Sequence, residues 1–403
     1  MVSSVYIAKN VYGGDGLGRL GDGRVIFIPG AWEGEQVKAE IVAEKRNYVK
    51  ARLVEVVEPS PERIDGGDFT GVPGCVYARL SYAAERRAKA AQLKEFLERI
   101  RVNVPVEEGE KNPSKVFSGG YRNKVVYHLG RKDGQIQIGY RVEPSHEVVD
   151  VERDPLAVEP INAKLPEIRS AVTRLLTQGP QAVRRGLFEK GDVTVRWSEK
   201  TGVKWWLGEA PEDLVIRETT CGKTFEVPAG GFYQVNPRVG EILVKTVTDE
   251  LNRRPEAARH IIDLYCGVGV FGLSALAGSP SSRLTGVESG RRAVEFARRN
   301  AASHGVKAEF FAGETRRLLG KLDCDGGTTV IVDPPRGGME RATTEFLMRS
   351  SVPRIFYVSC DPATLQRDLR TLLGAYEVES VKWFDMFPRT ARFETLVVLR
   401  RKN

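Results

Sequence analysis

The sequence predicts an α/β protein whose C-terminal half is a Rossmann-like domain built on a mostly parallel sheet. From about residue 216 onward, seven strand candidates appear, and helical stretches separate the first six. One of these strands runs directly into a glycine turn and a helix start, as in α/β folds that bind nucleotide-like ligands. The first 58 residues differ, since short strand-like runs alternate there with glycine turns, which is typical of a small OB-like β-barrel.

A chain of 403 residues is too long for one ordinary hydrophobic core, so several domains are expected. We assign residues 1–58 to the barrel, 59–215 to a central α+β domain and 216–403 to the Rossmann-like domain. The central assignment depends on a mixture of helical stretches and strand-like runs without a regular alternation between them.

The barrel and the central domain are predicted from short local patterns. The predicted barrel strands are 2–8, 24–28, 36–43 and 48–57. The glycine-rich stretch 13–18 resembles a phosphate-binding loop, but such a loop opens a helix and here strand-like sequence follows. We therefore interpret it as a turn. In the central domain we predict one helix over 81–101, with Ser81 as its cap, and another over 161–177.

The last two strands of the Rossmann-like domain break the alternation of strand and helix. The seven strand candidates are 261–265, 284–288, 307–311, 328–333, 354–359, 376–384 and 394–400. A parallel connection needs a crossover of a dozen or more residues, usually a helix. No long helix separates the last two strands, so we expect one of them to run antiparallel.

Charge and composition narrow the class of protein. The net charge of +8 favours a polyanionic partner such as nucleic acid, although many enzymes are mildly basic. No apolar run approaches the roughly 20 residues of a membrane helix, and the N-terminus lacks the features of a signal peptide. We therefore expect a cytoplasmic protein that binds no membrane. Five scattered cysteines and four histidines predict neither a disulfide framework nor a metal site.

Cys360 is the candidate nucleophile. It follows the apolar run 354–358, so a buried strand would deliver its thiol to the sheet edge where α/β folds bind ligands. Asp333 ends another predicted strand, and Glu394 precedes the final apolar run. A thiol and carboxylates beside a glycine turn indicate covalent chemistry next to a nucleotide-like cofactor. The alternative for Cys360 is a buried structural cysteine.

The glycine turn predicts a cofactor site. Gly267, Gly269 and Gly272 follow the pattern G-x-G-x-x-G, which lets the backbone turn sharply and approach a ligand. Glu288 ends the next strand, where a carboxylate binds a ribose hydroxyl in such sites. A dinucleotide and S-adenosylmethionine both fit, and Asp263 favours the latter because it can face the amino-acid portion. Taken alone, the turn also fits a nicotinamide-dependent oxidoreductase or tight packing of glycines.

Five short motifs occur in chain order along the C-terminal domain. They are Phe232-Tyr233-Gln234-Val235-Asn236, Asp263-Leu264-Tyr265-Cys266-Gly267-Val268-Gly269, Asp333-Pro334-Pro335-Arg336, Ser359-Cys360-Asp361-Pro362-Ala363-Thr364 and Asp385-Met386-Phe387-Pro388-Arg389-Thr390-Ala391-Arg392-Phe393-Glu394. Together they resemble the RNA 5-methyluridine methyltransferase family, and the motifs around Cys360 and Glu394 are the most diagnostic. The resemblance covers residues 1–403, because the N-terminal barrel is similar to the family's TRAM RNA-binding domain.

The resemblance implies a role for each matching residue. Cys360 would be the nucleophile and Glu394 the base. With the glycine turn, the predicted cofactor-binding residues are Gln234, Asp263, Tyr265, Gly267, Gly269, Glu288 and Asp333. The predicted RNA-binding residues are Arg122, Lys124, Gln234 and Asp333. Arg122 and Lys124 would hold phosphates, and the alternative for both is a solvated strand face.

The sequence also departs from the family pattern. Val270 stands where an asparagine usually follows the second glycine, and Arg392 and Phe393 replace the common His-Val before the glutamate. Relatives often hold an iron–sulfur cluster on four cysteines. Here only Cys75 remains, and Asp154 occupies a later position of that set. We therefore expect no cluster, with Cys75 acting as a small hydrophobic residue.

The resemblance implies methylation of carbon 5 of a uridine in RNA, with S-adenosylmethionine as the methyl donor. The TRAM-like barrel favours ribosomal RNA, specifically 23S rRNA, and we expect the protein to act as a monomer. Two alternatives stay open: a tRNA uracil-5 methyltransferase, and an RNA-binding protein that retains the fold without catalysis. Intact Cys360 and Glu394 argue against the second alternative.

Overall fold

The chain forms two compact units. The computed structural model describes residues 2–109, 119–142, 145–178, 191–253, 259–276 and 282–402. One unit comprises Met1–Glu95 and Phe387–Phe393, and the other comprises Phe96–Met386 and Glu394–Asn403. The division into three domains with boundaries after residues 58 and 215 remains a prediction. The predicted α/β class, with an N-terminal barrel and a Rossmann-like domain, is confirmed.

Five strands near the N-terminus close into a barrel. They are β1 (Val2–Asn10), β2 (Gly16–Arg19), β3 (Val25–Ile28), β4 (Gln36–Glu44) and β5 (Tyr48–Glu58), in the order β1-β2-β3-β5-β4. Alternate side chains such as Val5 and Ile26 fill the interior. The four predicted strands are confirmed, but the stretch interpreted as a turn also leads into β2. Gly18 permits that strand, because a Cβ there would lie 2.6 Å from the carbonyl oxygen of Tyr6.

A helix follows the barrel in the chain. It is α1 (Tyr82–Glu98), preceded by a short 3₁₀ helix at Gly67–Phe69. Ser81 caps α1 as predicted, because its Oγ accepts a hydrogen bond from the backbone N–H of Ala84 at 3.2 Å. The helix ends earlier than predicted, at Glu98.

The next part of the chain builds an antiparallel sheet covered by a helix. After β6 (Val106–Glu108), the strands are β7 (Lys124–Lys132), β8 (Gln135–Arg141), β9 (Val148–Asp150), β10 (Asp192–Ser198) and β11 (Gly202–Leu207), in the order β11-β10-β7-β8-β9. The helix α2 (Glu159–Gln178) confirms the helix predicted over 161–177. Its buried residues Ile161, Leu165 and Ile168 recur at helical spacing and pack in one core with Val125 and Val193. A hairpin of β12 (Val215–Thr220) and β13 (Lys223–Pro228) follows.

The Rossmann-like domain contains an eight-stranded sheet. Its further strands are β14 (His260–Leu264), β15 (Arg283–Glu288), β16 (Ala308–Ala312), β17 (Thr328–Val332), β18 (Arg354–Ser359), β19 (Tyr376–Phe384) and β20 (Glu394–Arg401). Its helices are α3 (Pro237–Asn252), α4 (Val270–Ala275), α5 (Arg291–Ser303), α6 (Thr315–Leu318), α7 (Arg341–Arg349) and α8 (Pro362–Leu372). The strand order is β16-β15-β14-β17-β18-β20-β19-β6.

One strand of this sheet runs against the others, as the sequence predicts. β14 to β18 pair in parallel, whereas β20 inserts between β18 and β19 and is antiparallel to both. Strand β6 at the edge was not predicted. It pairs with β19 over Val106–Glu108 only, which is too short to produce a periodic pattern in the sequence.

The central strands are buried on both faces. Every residue of β14, β17 and β18 is buried, which explains why these segments are continuous apolar runs. The parallel strands place their carboxyl ends at one edge of the sheet, where ligands of open α/β folds bind. The residues that follow those strand ends are therefore brought together.

Candidate active site

Cross-strand pairing brings four strand ends together. Leu264 at the end of β14 pairs with Val287 of β15 on one side and Val332 of β17 on the other. Val332 in turn pairs with Tyr357 of β18. The residue after Val332 is Asp333, whose backbone N–H donates to the carbonyl oxygen of Leu264 at 3.3 Å. The predicted site residues on these strands therefore share one edge.

Cys360 and Glu394 lie at the ends of two antiparallel strands. Ser359, the last residue of β18, pairs with Thr395 of β20, so Cys360 and Glu394 follow the same register one position further. Cys360 is half-buried, and only 4% of Glu394 is exposed. Asp361 fixes the next turn, because its carboxylate accepts hydrogen bonds from the first N–H groups of α8. The thiol is thus held between a strand end and a helix start.

The charges around the thiol oppose its ionisation. The pKa of the Cys360 thiol is raised to about 12, first by burial and then by the carboxylates of Glu394 and Asp333, while the Arg336 guanidinium acts to lower it. Burial also raises the pKa of Glu394 well above its usual value, and Asp333 adds to this effect. The pKa of Asp333 is raised by burial to about 7. In each of the three groups, the shift favours the protonated form.

The glycine turn has the conformation that the sequence predicts. Gly267 and Gly269 have φ values of 55° and 88°, which favour glycine. Glu288 accepts a hydrogen bond from the N–H of Gly267 at 3.1 Å, so the turn and the candidate ribose-binding carboxylate are tied together. Gly272 has no room for a side chain, because a Cβ would lie 2.6 Å from Leu284. Gly267 and Val270 line a cavity at the start of α4, so a ligand there would contact the turn.

One carboxylate oxygen of Asp263 accepts a hydrogen bond, and the other has no partner among the described residues. Oδ2 accepts a hydrogen bond from the N–H of Gly272 at 2.8 Å and so anchors the start of α4. Oδ1 is buried and has no hydrogen-bond partner among the described residues. Burial raises the pKa of Asp263 to about 7. A buried acceptor of this kind fits a ligand that brings a donor, such as an amino group.

A cavity opens beside the glycine turn. Its volume is about 520 Å³ when the part open to solvent is included. The cavity is lined by aromatic, polar and glycine residues that include Tyr233, Gln234, Tyr265, Gly267, Phe271 and Asp333. Aromatic rings together with a few polar groups fit an adenosine-containing cofactor such as S-adenosylmethionine. Val270, the departure from the family pattern, lines the same cavity.

The segment that carries Gln234 is held by residues that precede it in the chain. The fully buried Arg196 donates to the carbonyl oxygen of Gly231 at 3.1 Å and pairs with Glu218 at 3.0 Å. The backbone N–H of Asn123 donates to the carbonyl oxygen of Val235 at 2.9 Å. These contacts fix both ends of the segment, so Gln234 reaches the cavity from a rigid support.

Lys124 and Arg122 both make contacts within the protein. The ammonium of Lys124 is 3.5 Å from the carbonyl oxygen of Gly231, and burial together with Arg196 lowers its pKa to about 8. The guanidinium of Arg122 lies 5.9 Å from the centre of the Tyr121 ring. Their binding to RNA phosphates stays a prediction.

Sequence reasoning missed two features of the site. Arg336 lies close enough to Cys360 and Glu394 to lower both pKa values. It belongs to the same sequence motif as Asp333, and that motif could have indicated a place in the site. Phe232 is 70% exposed beside the cavity, which is unusual for a phenyl ring. Its place two residues before Gln234 gave no indication of this exposure.

The residues considered for a metal cluster have ordinary structural surroundings. Cys75 is buried. Asp154 is fully buried and accepts hydrogen bonds from the hydroxyls of Tyr127 and Tyr140 at 2.9 and 2.6 Å. No group of three or more metal-binding side chains occurs among the described residues. The absence of an iron–sulfur cluster remains a prediction.

The fold and the cofactor site define a class I S-adenosylmethionine-dependent methyltransferase. The tRNA (Uracil-5-)-methyltransferase family matches residues 212–402, and the TRAM domain matches residues 5–54. A protein called an uncharacterized RNA methyltransferase from Thermosynechococcus vestitus is 30% identical over 96% of this chain and 95% of its own length. Another from Streptomyces coelicolor is 31% identical over 98% and 92%. The chain belongs to the RNA uracil-5 methyltransferase family and carries a TRAM domain.

A solved structure has the same overall fold. It is the Pyrococcus abyssi tRNA (uracil-54, C5)-methyltransferase in complex with S-adenosyl-L-homocysteine, with a TM-score of 0.73 and 22% identity. The match covers 98% of this chain and 100% of that one. The predicted family, enzyme class and S-adenosylmethionine cofactor are confirmed. No helix within the described ranges is long and apolar enough to cross a membrane.

Proposed function

We propose that this enzyme methylates carbon 5 of a uridine in 23S rRNA through a covalent bond between Cys360 and carbon 6 of the uracil. The observation that carries the proposal is the pairing of Ser359 with Thr395, which makes Cys360 and Glu394 cross-strand neighbours. Asp333, whose charge acts on both groups, lines the cavity beside the glycine turn. A nucleophile and a base at one edge of the sheet are what this chemistry needs.

The chemistry explains why a thiol and a carboxylate are both required. Carbon 5 of uracil is a poor nucleophile, and addition of the Cys360 thiolate to carbon 6 converts the ring into an enolate. Bound S-adenosylmethionine supplies an electrophilic methyl group. Carbon 5 of the enolate would form a bond to that methyl group as the methyl–sulfur bond breaks and S-adenosylhomocysteine leaves. Glu394 then removes the proton from carbon 5. The electrons of the broken carbon–hydrogen bond restore the double bond between carbons 5 and 6 and expel the Cys360 thiolate.

The raised pKa of Cys360 sets a condition on the first step. A thiol with a pKa of about 12 is protonated at neutral pH, so the thiolate must form after binding changes the local charge. Arg336 already favours the thiolate, and a cationic sulfonium in the cavity acts in the same direction. Asp333, whose pKa of about 7 leaves it partly ionised at neutral pH, is the nearby carboxylate that would accept the thiol proton, and Glu394 is then free to accept the proton from carbon 5.

The rest of the chain supports an RNA substrate. A base in a folded RNA cannot reach a half-buried thiol, so the target uridine must be flipped out of its stack. The barrel and the central domain would bind the flanking RNA. Arg122 and Lys124 would contact its phosphates. The net charge of +8 favours such binding. We propose that the enzyme does so as a cytoplasmic monomer.

A tRNA substrate is the second candidate, because the Pyrococcus abyssi neighbour is named a tRNA (uracil-54, C5)-methyltransferase. Incubation of the protein and cofactor with rRNA and tRNA from cells that lack the gene separates the two. Mass mapping should place 5-methyluridine in 23S rRNA. Methylation of tRNA alone would overturn the rRNA assignment, and tight RNA binding without methylation of either would support a catalytically silent binder.

A further inference from the structure

A buried carboxylate joins two of the segments that form the candidate active site. Asp368 lies on α8, the helix that begins directly after the Cys360 turn, and only 3% of this residue is exposed. Its Oδ2 atom accepts hydrogen bonds from the hydroxyl of Tyr357 on β18 at 2.7 Å and from the backbone N–H of Met339 at 2.8 Å. Met339 belongs to the loop after β17, which also carries Arg336. All of these residues lie in the same compact unit, so one carboxylate ties the β18–α8 turn to this loop.

Arg367 adds further contacts to the same loop. Its Nε donates to Oδ1 of Asp368 at 2.8 Å, and its Nη2 donates to the carbonyl oxygens of Gly337 and Met339 at 2.8 and 3.0 Å. Between them, Gly338 has a φ of 73°, and a Cβ there would lie 2.7 Å from Oδ2 of Asp368. The backbone on both sides of Gly338 is therefore hydrogen-bonded to the paired side chains of Asp368 and Arg367.

The position of the Arg336 side chain depends on this loop. Arg336 is exposed, and its guanidinium has no hydrogen bond or ion pair within the described ranges. The loop is fixed at its start, where the backbone N–H of Asp333 donates to the carbonyl oxygen of Leu264 at 3.3 Å. It is fixed again by Asp368 at Met339. The backbone between these two points determines where the guanidinium lies.

The guanidinium is important because other charged groups oppose ionisation of the thiol. Burial raises the pKa of Cys360, and so do three carboxylates from the neighbouring segments. These are Glu394 on β20, Asp333 after β17 and Asp361 at the start of α8. Arg336 acts in the opposite direction. Because the attraction between charges falls with distance, displacement of the guanidinium would weaken this favourable effect.

We propose that Asp368 is a positioning residue that keeps the Arg336 guanidinium close to the Cys360 thiol. It does so through the loop after β17, and Tyr357 and Arg367 support it. The inference rests on the proposed role of Cys360 as the nucleophile. The thiolate is the reactive form, so a displaced guanidinium leaves a smaller fraction of Cys360 ready to add to carbon 6.

The pH dependence of Cys360 alkylation by iodoacetamide tests this proposal without RNA. Asp368→Asn keeps the size of the side chain but leaves one oxygen in place of two as acceptors. Tyr357→Phe removes one hydrogen-bond donor and changes no charge. Asp249→Asn is the matched control, because it removes an exposed carboxylate paired with Lys245 in the same compact unit. Peptide mass mapping measures the rate at Cys360, and calorimetry with S-adenosylmethionine checks that each variant is folded.

We expect Asp368→Asn to slow alkylation roughly fivefold to tenfold and to shift its pH profile to higher pH, because solvent screens only part of the field of an exposed guanidinium. Loss of a negative charge alone would favour the thiolate and speed the reaction. A slower reaction therefore identifies loss of position. Tyr357→Phe, which loses one hydrogen bond, should slow alkylation about threefold, and the control should match the wild type. An unchanged or faster reaction in Asp368→Asn, or an unchanged one in Tyr357→Phe, would overturn the proposal.

A double variant separates action through Arg336 from a general loosening of the site. If Asp368 acts through Arg336, then Asp368→Asn added to Arg336→Gln should change the alkylation rate by less than about twofold. Losses that multiply would show that Asp368 acts by another route and would also overturn the proposal.

The outcome for Asp368 can be distinguished from the outcome for the proposed function. If Cys360→Ala still methylates RNA, the nucleophile assignment fails whatever the alkylation rates are. If Cys360→Ala is inactive while Asp368→Asn is alkylated at the wild-type rate, only the positioning role fails.

Discussion

Cys360 and Glu394 are cross-strand neighbours, one residue beyond the pairing of Ser359 with Thr395. The antiparallel insertion of β20 beside β18 creates this relationship. Had β20 run parallel to β18, its amino end, and with it Glu394, would lie at the opposite edge of the sheet. The reversal of one strand therefore brings the carboxylate to the thiol.

Replacement of the candidate nucleophile should separate chemistry from cofactor binding. We expect Cys360→Ala to abolish methylation, because it removes the thiol that we propose to add to carbon 6. Cofactor affinity should stay within about twofold, because the glycine turn and Glu288 are untouched. Methyl incorporation and calorimetry with S-adenosylmethionine measure the two quantities. Cys324→Ala, which changes a half-buried cysteine elsewhere, is the control. Residual turnover in Cys360→Ala would refute the nucleophile assignment.

The charges around Cys360 should control its reactivity in opposite directions. Glu394 raises and Arg336 lowers the pKa of the thiol. The thiolate is the reactive form, so Glu394→Gln should speed alkylation of Cys360 by iodoacetamide wherever Glu394 is ionised, and Arg336→Gln should slow it. The rate in the wild type should rise with pH toward a pKa of about 12. Peptide mass mapping from mildly acidic to alkaline pH measures these rates. Changes of the same sign in both variants would contradict the electrostatic account.

Restoring the residue that is common in the family should tighten the cofactor site. Val270 lines the cavity at the start of α4, where it offers no hydrogen bond. Val270→Asn adds a polar side chain there, and one such bond contributes about 1 kcal/mol, or roughly fivefold in affinity. Calorimetry with S-adenosylmethionine measures the change, with Val270→Ala as the control. An unchanged or weaker affinity for Val270→Asn would show that this side chain does not face the cofactor.

The support beneath Gln234 should be important for stability. Glu218→Ala leaves Arg196 buried without its partner, which should lower the free energy of unfolding by about 3–5 kcal/mol. Urea denaturation measures this quantity. Glu377→Ala, which breaks the exposed pair with Arg400, should cost less than about 1 kcal/mol. Similar losses in the two variants would mean that the buried pair has no special role.

The strand ends of the site could be predicted from the sequence because local patterns define them. Continuous apolar runs mark the buried strands, and the polar residues after them, such as Asp333 and Cys360, must then lie at one edge. The glycine turn likewise has the φ values that its glycines allow. Each of these features depends on residues close together in the chain.

Other features depend on contacts between distant parts of the chain and left no local signal. Arg389 is 304 residues from Glu85, its hydrogen-bond acceptor, and nothing near either residue indicates the contact. β6 joins the sheet edge over three residues without a periodic pattern. The exposure of Phe232 likewise depends on how the chain packs. From the residue type alone, a phenyl ring would be expected to be buried.

The central claim is that Cys360 forms a transient bond to uracil. RNA containing 5-fluorouridine cannot lose fluorine as a cation from carbon 5, so the adduct formed after methyl transfer should persist. Incubation of the enzyme with this RNA and S-adenosylmethionine, followed by nuclease and protease digestion, identifies the attached residue by mass. The account predicts a methylated fluorouridine on the peptide that contains Cys360. A mass shift on another residue, or product formation with no adduct, would contradict it.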